Sequence, residues 1–247
     1  LLALAELEQL PRRYFILEVS AELRARQRAT LAQRVAHLAG RVHWLDDLPP
    51  AFRGVVLGNE LLDAMPVQRF RLTNGALREL QVTWEQDRFV WREAPPSADL
   101  ESIAAQRIAP LALADGYDSE IGLAAEGWVR TVAERLAAGV LLLIDYGFPR
   151  HEFYHAQRTH GTLMCHYRQR AHSDPLILIG LQDITAHIDF TAVAEAAHGA
   201  GLDIMGYTSQ GQFLVASGIA DLANATDPKT RLTLTQEIKK LTLPHEM

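Results

Sequence analysis

The sequence contains one cysteine, Cys165, so no disulfide can close within the chain and a disulfide-stapled fold is excluded. A reducing compartment is the matching expectation. Long apolar runs are also missing: stretches such as Ala137 to Ile144 fall well short of the ~20 residues a helix needs to cross a bilayer, so a soluble protein with no membrane insertion is expected. There is no basic excess. The 24 Lys and Arg stand against 30 Asp and Glu for a net charge of −6, which argues against a general nucleic-acid surface and for none as partner. Of the 24 basic residues, 21 are arginine. Neither a GxxxxGK[ST] nor a GxGxxG phosphate loop is found. The one Gly-x-Gly, Gly199-Ala200-Gly201, follows a helical pattern and precedes a strand-like one, which is the order of a helix C-terminal turn. There is no CxxC, HExxH or GxSxG. Cys165, His151, His155, His166 and His172 therefore read as isolated residues, with no metal expected and no nucleophile role for the cysteine. A signal peptide is not evident, since Leu1 to Leu10 carries Glu6 and Glu8 in a helical pattern ended by Pro11.

What is present is an ordinary globular composition over 247 residues, with 48% hydrophobic and 22% charged residues. It is read as one α/β domain over residues 1–247. Tyr14 to Val19 is a continuous apolar run, expected to be a strand buried on both faces, and Ser20 is placed to cap a helix reaching Gly40. Arg41 to Leu45, Gly54 to Leu57 and Gly139 to Ile144 read as further strands, the last after a helix marked by Ile121, Ala125, Trp128, Val132 and Leu136. Strands alternating with helices predict a doubly wound, mainly parallel sheet. Two segments break the alternation. Residues 67–93 alternate apolar and polar around Asn74-Gly75, the signature of a β-meander excursion. Residues 150–189 are rich in His, Arg and aromatics and weakly periodic, as a lid-like insertion would be. Beyond them lie a helix from Phe190 to His198, a strand from Leu202 to Tyr207, a helix beginning near Ser209, and a last helix opening at Asp227-Pro228.

In an open parallel sheet ligands bind beyond the carboxyl ends of the strands, so the residues just after each apolar run carry the information. They are Glu18, then Asp46 and Asp47, then Asn59, Glu60 and Asp63, then Asp145 with Tyr146. This concentration of carboxylates favours a cationic cofactor or substrate, such as a sulfonium or a guanidinium, over an anionic one. Glu18 suits the paired hydroxyls of a ribose, and the competing reading is an anion interacting with the first turn of the next helix. The ribose reading is favoured because Glu18 follows a strand. Glu60 and Asp63 could face one ligand together if the chain turns helical there, or Asn59 could simply cap that helix with acidic residues in its first turn. The sequence leaves both open. His187, in the polar–apolar alternation from Gln182 to Phe190, is placed to accept a proton near neutral pH.

The segments FILEVSAELRARQ, VVLGNELLDAMPVQRF, LLLIDYGFPRHEFYHAQRTHGTLMCHYRQRAHSDP and GLQDITAHIDF together resemble the MidA-like S-adenosylmethionine-dependent methyltransferases. The resemblance covers nearly the whole chain. It implies a Rossmann-like class I methyltransferase fold with the meander and lid as insertions, and S-adenosylmethionine as cofactor. It also implies that the family's glycine-rich loop, the first strand and the last strand lie outside a chain that opens at Leu1 and closes on Pro244-His245-Glu246-Met247. Cofactor contacts would come from Glu18, Ser20, Asp46, Asn59 and Glu60. Catalysis would fall to Glu60, Asp63 and Asn59, with His187, Asp145 and Tyr146 in second rank. The mitochondrial branch is associated with symmetric dimethylation of protein arginine during respiratory complex I assembly. A protein arginine acceptor, a complex I subunit among them, is therefore implied, in a bacterial cytoplasm or a mitochondrial matrix. Two other classes stay open: a non-catalytic assembly factor on a methyltransferase fold, and a nicotinamide-dependent oxidoreductase.

Overall fold

The computed structural model describes residues 1–223 and 228–242. The chain divides into two units, Leu1–Val55 with Thr131–Val140, and Val56–Arg130 with Leu141–Met247.

In the first unit, a short helix α1 (Leu2–Glu6) precedes strand β1 (Tyr14–Leu17), helix α2 (Ala21–Arg34) and strand β2 (Val42–Leu45). β1 and β2 run parallel in the register Tyr14↔Val42 to Leu17↔Leu45, so α2 is the crossover of a βαβ turn. The Ser20 hydroxyl starts α2 by accepting the Leu23 N–H at 3.2 Å, and Glu22 lies in the positively polarised first turn. The expectation of one helix to Gly40 is corrected: α2 ends where Val35 leaves helical geometry (φ −143°), and a 3₁₀ turn, Ala36–Arg41, follows. That tighter turn lets Val35 and Leu38 both enter the core. The expectation of a strand buried on both faces is also corrected. Phe15 is 45% exposed, because among the described residues β1 has a ladder partner only in β2. Strand β3 (Phe52–Asn59) begins in this unit, where Val55 is likewise exposed.

The second unit opens on the end of β3 and continues into β4 (Gln68–Thr73), β5 (Ala76–Glu85) and β6 (Arg88–Ala94), an antiparallel meander. The turn at Asn74-Gly75 forms with both residues at positive φ, 52° and 72°, as a two-residue hairpin with right-handed strand twist requires. Helix α3 (Ala98–Arg107), capped by the Ser97 hydroxyl on Leu100 N–H, leads to β7 (Asp118–Ile121), which pairs with β4. Phe70, Leu100, Ile108, Tyr117, Ile121 and Phe153 form one core between this sheet and its helices. Phe70 is fully buried, a placement worth roughly 1.5–3 kcal/mol relative to exposure. Ile121 thus belongs to a strand rather than to the following helix α4 (Leu123–Arg135).

Strand β8 (Leu136–Ile144) pairs with β3, and β9 (Gly147–Phe148) follows at once. After helix α5 (Arg150–Phe153), the strands β10 (Met164–Tyr167), β11 (Arg170–His172) and β12 (Asp183–Thr185) form a small antiparallel sheet. Strand β13 (Ile188–Asp189) pairs parallel with β9, and Asp189 caps helix α6 (Phe190–Gly199) by accepting the Ala192 N–H. A second core joins Leu62 to Ala125, Val129, Ile188 and Val193. The strand expected from Leu202 to Tyr207 does not form, since those residues find no ladder partner among the described residues. Helices α7 (Gln210–Ala216), capped by Ser209, and α8 (Pro228–Thr242) complete the order. Asp227 and residues 243–247, to which sequence expectations had been attached, lie outside the described residues.

Candidate functional site

In the first unit the end of β1 is organised around Glu18. Its Oε1 accepts the Ser20 N–H at 2.9 Å and its Oε2 accepts from Gln27 Nε2 at 3.0 Å. Gln27 is itself held, its Oε1 accepting the Trp44 indole N–H at 2.9 Å. The carboxylate is therefore fixed in orientation, and each oxygen keeps a lone pair for a further donor. Arg24 draws the two strand ends together, donating to the carbonyls of Glu18 and Leu45, both at 2.9 Å, and to Asp46 Oδ1 at 2.7 Å. The Asp46 side chain is 90% exposed and accessible in spite of that pairing. Asp47 accepts from Arg135 at 3.3 Å. Ser20 spends its hydroxyl on capping α2.

In the second unit the chain leaves β3 at Asn59, which is exposed, and does not become helical over Gly58 to Pro66. The expectations of a helical turn joining Glu60 to Asp63, and of Asn59 as its cap, are corrected. Glu60 instead takes φ +47°, a left-handed conformation that breaks helical geometry at the first step. Leucines crowd the strand exit: a Cβ on Gly58 would meet Leu143 Cδ2 at 2.9 Å, so that side chain would have to shift to admit one. The turn is held by three consecutive residues at the end of β8. Ile144 O accepts the Glu60 N–H at 2.8 Å. Asp145 Oδ2 accepts the N–H groups of Leu61, Leu62 and Asp63 at 3.1, 2.8 and 3.4 Å. The Tyr146 hydroxyl donates to Glu60 Oε1 at 3.0 Å.

Asp63 is 6% exposed and its Oδ1 has no hydrogen-bond partner. Burial first, and then the neighbouring Asp145 charge, push its carboxyl up to about 6, with Glu60 and Asp183 adding to the rise. The Tyr146 phenol is raised by burial and by its bond to Glu60. His187 reaches the same locality: the Ala186 N–H donates to Asp63 O at 3.0 Å, and the His187 N–H donates to Thr162 Oγ1 at 3.0 Å. Burial and Arg158 lower the imidazole's proton affinity, so it is neutral at neutral pH, and its Nδ1 has no partner. Glu60, Asp63, Asp145, Tyr146 and His187 are thus brought together within one unit. Sequence reasoning missed Thr162 and Glu120, which carry this arrangement from behind: Glu120 Oε2 accepts the Thr162 N–H at 3.0 Å. A lone Glu in a short strand and a Thr in a loop give no motif to find.

A stability consequence follows from Asp63. A carboxyl with a higher pKa in the folded chain than in the unfolded one contributes stability below 3.8, and that contribution is lost as pH rises to about 6. Asp63→Asn is expected to stabilise the fold by about 1 to 2 kcal/mol at pH 8 and by much less at pH 3. Urea midpoints at the two pH values check this, and an equal effect at both would refute it.

The enclosed cavity beside this cluster, lined by Leu62, Glu120, Glu126, Tyr154 and His187 among others, measures about 20 Å³. It has room for one water and no substrate. Among the described residues no helix is long and apolar enough to cross a membrane.

Residues 2–208 match the family described as "Putative S-adenosyl-L-methionine-dependent methyltransferase". The crystal structure of a "likely methyl transferase" from Burkholderia thailandensis, bound to S-adenosyl-homocysteine, is 46% identical with a TM-score of 0.93 over 100% of this chain and 64% of that one. A native crystal structure of an uncharacterized protein from the same organism superposes with a TM-score of 0.94 at 46% identity, over 100% of this chain and 66% of that one. The mitochondrial protein arginine methyltransferase NDUFAF7 of Danio rerio is 27% identical across 83% of this chain and 47% of its own length. Its Drosophila melanogaster homologue is 29% identical across 69% and 38%. The chain spans less than half the length of these curated relatives. With its Rossmann-like α/β fold, its parallel βαβ turn and its meander, the chain belongs to the S-adenosyl-L-methionine-dependent methyltransferase family that its residues 2–208 match.

Proposed function

We propose that this chain takes part in methyl transfer from S-adenosylmethionine to an arginine side chain of a protein. The observation that carries the cofactor reading is the 46% identity, over the whole chain, to a structure bound to S-adenosyl-homocysteine, the product such a transfer leaves. The residues present fit it. Glu18, oriented by Ser20 and Gln27, has lone pairs open to two ribose hydroxyls, and Asp46, exposed at the end of the neighbouring strand, suits the adenine amine. The bound cofactor would supply an activated methyl on a sulfonium.

This chain's residues would supply position and charge. Glu60 has one oxygen engaged by Tyr146 and the other available for a guanidinium N–H, a charge-assisted contact that holds the acceptor nitrogen in line. Asn59, at the strand exit, lies beside it in the chain and is exposed. Asp63 Oδ1, buried and unpartnered, suits the proton the acceptor nitrogen loses on methylation, and neutral His187 is a second receiver. The names of the mitochondrial relatives support an arginine acceptor, and the resemblance to the mitochondrial branch suggests a complex I subunit.

The test is calorimetric titration of the intact protein with S-adenosylmethionine and, in parallel, NADH, followed by labelled-methyl transfer to a cognate lysate. Binding of the first alone, with label on protein arginine, is expected. Binding without transfer to any protein would turn the reading to an assembly factor. Glu60→Gln and Asp63→Asn, made singly, are each expected to lower the transfer rate roughly 10- to 100-fold, the range of a lost charged hydrogen bond. Unchanged transfer with intact cofactor binding would remove that residue from the mechanism.

A further inference from the structure

The carboxylates at the strand exits are not equivalent, and the difference lies in what already occupies their oxygens. Asp145 Oδ2 is full. It takes the N–H groups of Leu61, Leu62 and Asp63, and Oδ1 takes the N–H of Tyr146 at 2.9 Å. Each carboxylate oxygen offers about two lone-pair sites, so three backbone donors saturate Oδ2 while Oδ1 carries one. Glu60 accepts from Tyr146 on one oxygen, and Asp63 Oδ1 is buried without a partner.

We infer that Asp145 is a positioning residue: its Oδ2 seats the 61–63 turn and so sets Glu60 and Asp63 in place for the acceptor. The functional half of this rests on the methyl-transfer reading above. The seat is a nest of converging N–H groups, which attracts an anion wherever successive amides point inward. It also offsets the left-handed backbone at Glu60, a conformation unfavourable for a residue with a Cβ. Ile144 and Tyr146 grip Glu60 on either side of this contact, by its N–H and its side chain. The same charge acts on Asp63, whose carboxyl it helps to raise; Glu60 and Asp183 also face Asp63 and raise it, and the Ala64 N–H lowers it.

Asp145→Ala and the isosteric Asp145→Asn in the intact protein test this, read by amide hydrogen exchange, by a carbon-13 carboxyl titration of Asp63 and by methyl-transfer rate. In Asp145→Ala, exchange at Leu61 and Leu62 is expected to quicken at least about tenfold, the worth of one hydrogen bond to a charged group, with β4 and β5 unchanged. In Asp145→Asn, which keeps one acceptor oxygen, the quickening is expected to be smaller. The Asp63 titration is nevertheless expected to move to lower pH, and the acid limb of the rate profile with it, because the neighbouring charge has gone. Exchange within twofold of the wild type in Asp145→Ala, or an unmoved Asp63 titration in Asp145→Asn, overturns the inference and leaves the methyl-transfer reading standing. Absence of transfer by the wild type overturns that reading, while exchange and titration still decide the seat.

Discussion

Replacing Glu126 with alanine is expected to cost about 3 to 5 kcal/mol of folding stability, the usual penalty for leaving one partner of a buried ion pair alone. Glu126 meets Arg107 by two bonds, Oε1 from Nη1 at 2.6 Å and Oε2 from Nη2 at 2.9 Å, and the side chains are 4% and 14% exposed. This geometry fastens the last turn of α3 to the first turn of α4. Arg130, 3.6 Å away and largely solvated, cannot take over the fastening, because it is a second cation and would sit beside an unpaired guanidinium. The shift is read from urea unfolding at pH 7. The paired change Arg107→Met with Glu126→Leu is expected to cost far less, since neither charge is then left buried. A loss below about 1 kcal/mol in Glu126→Ala, the value of an exposed pair, would mean that water reaches the pair.

Much of the local grammar was legible. Ser20, Ser97, Ser209 and Asp189 stand at helix starts because a short polar side chain can satisfy an N–H that no helical carbonyl reaches, and two of these positions, Ser20 and Ser209, could be named from sequence. Asn74-Gly75 was legible for the same kind of reason: few residues tolerate two positive φ values in succession. The apolar runs located β1, β3 and β8 but misjudged the burial of β1, because hydrophobicity reports what a strand can bury against and not what covers it.

The candidate site was legible in residues and illegible in geometry. Glu60, Asp63 and Asp145 could be picked out as carboxylates at strand exits, yet a helical turn was the expected link between the first two. The actual link is an interaction 82 to 84 residues distant in sequence, Asp145 with the amides of 61–63. No local pattern encodes a backbone nest filled from another strand. The distinction between a saturated carboxylate oxygen and a free one likewise depends on donors brought from distant parts of the chain, which no local pattern encodes.

The largest functional effect is expected at Glu18. On the proposed ribose contact, Glu18→Ala would remove the acceptor for two hydroxyls, each bond to a charged group being worth about 1.5 to 3 kcal/mol and the two not fully additive, so cofactor affinity should fall on the order of 10²- to 10³-fold. Glu18→Gln keeps the shape and one acceptor oxygen and should fall nearer tenfold. The loss should appear in affinity without a matching loss of fold, because Glu18 is half-buried and its protein partners, the Ser20 amide and the Gln27 side chain, lie where water can replace it. Asp46→Ala is the control. Its side chain is 90% exposed and shares its charge with Arg24, so a smaller loss is expected there, and one insensitive to whether the ligand carries a 2′-hydroxyl. Calorimetric titration of S-adenosyl-homocysteine and its 2′-deoxy analogue into the wild type and the three variants separates these outcomes. If Glu18 holds the ribose, the 2′-deoxy analogue loses affinity on the wild type and almost none on Glu18→Ala, since the partner of the missing hydroxyl is already gone. Equal losses on both proteins would place the ribose elsewhere and leave Glu18 as the anion that anchors α2.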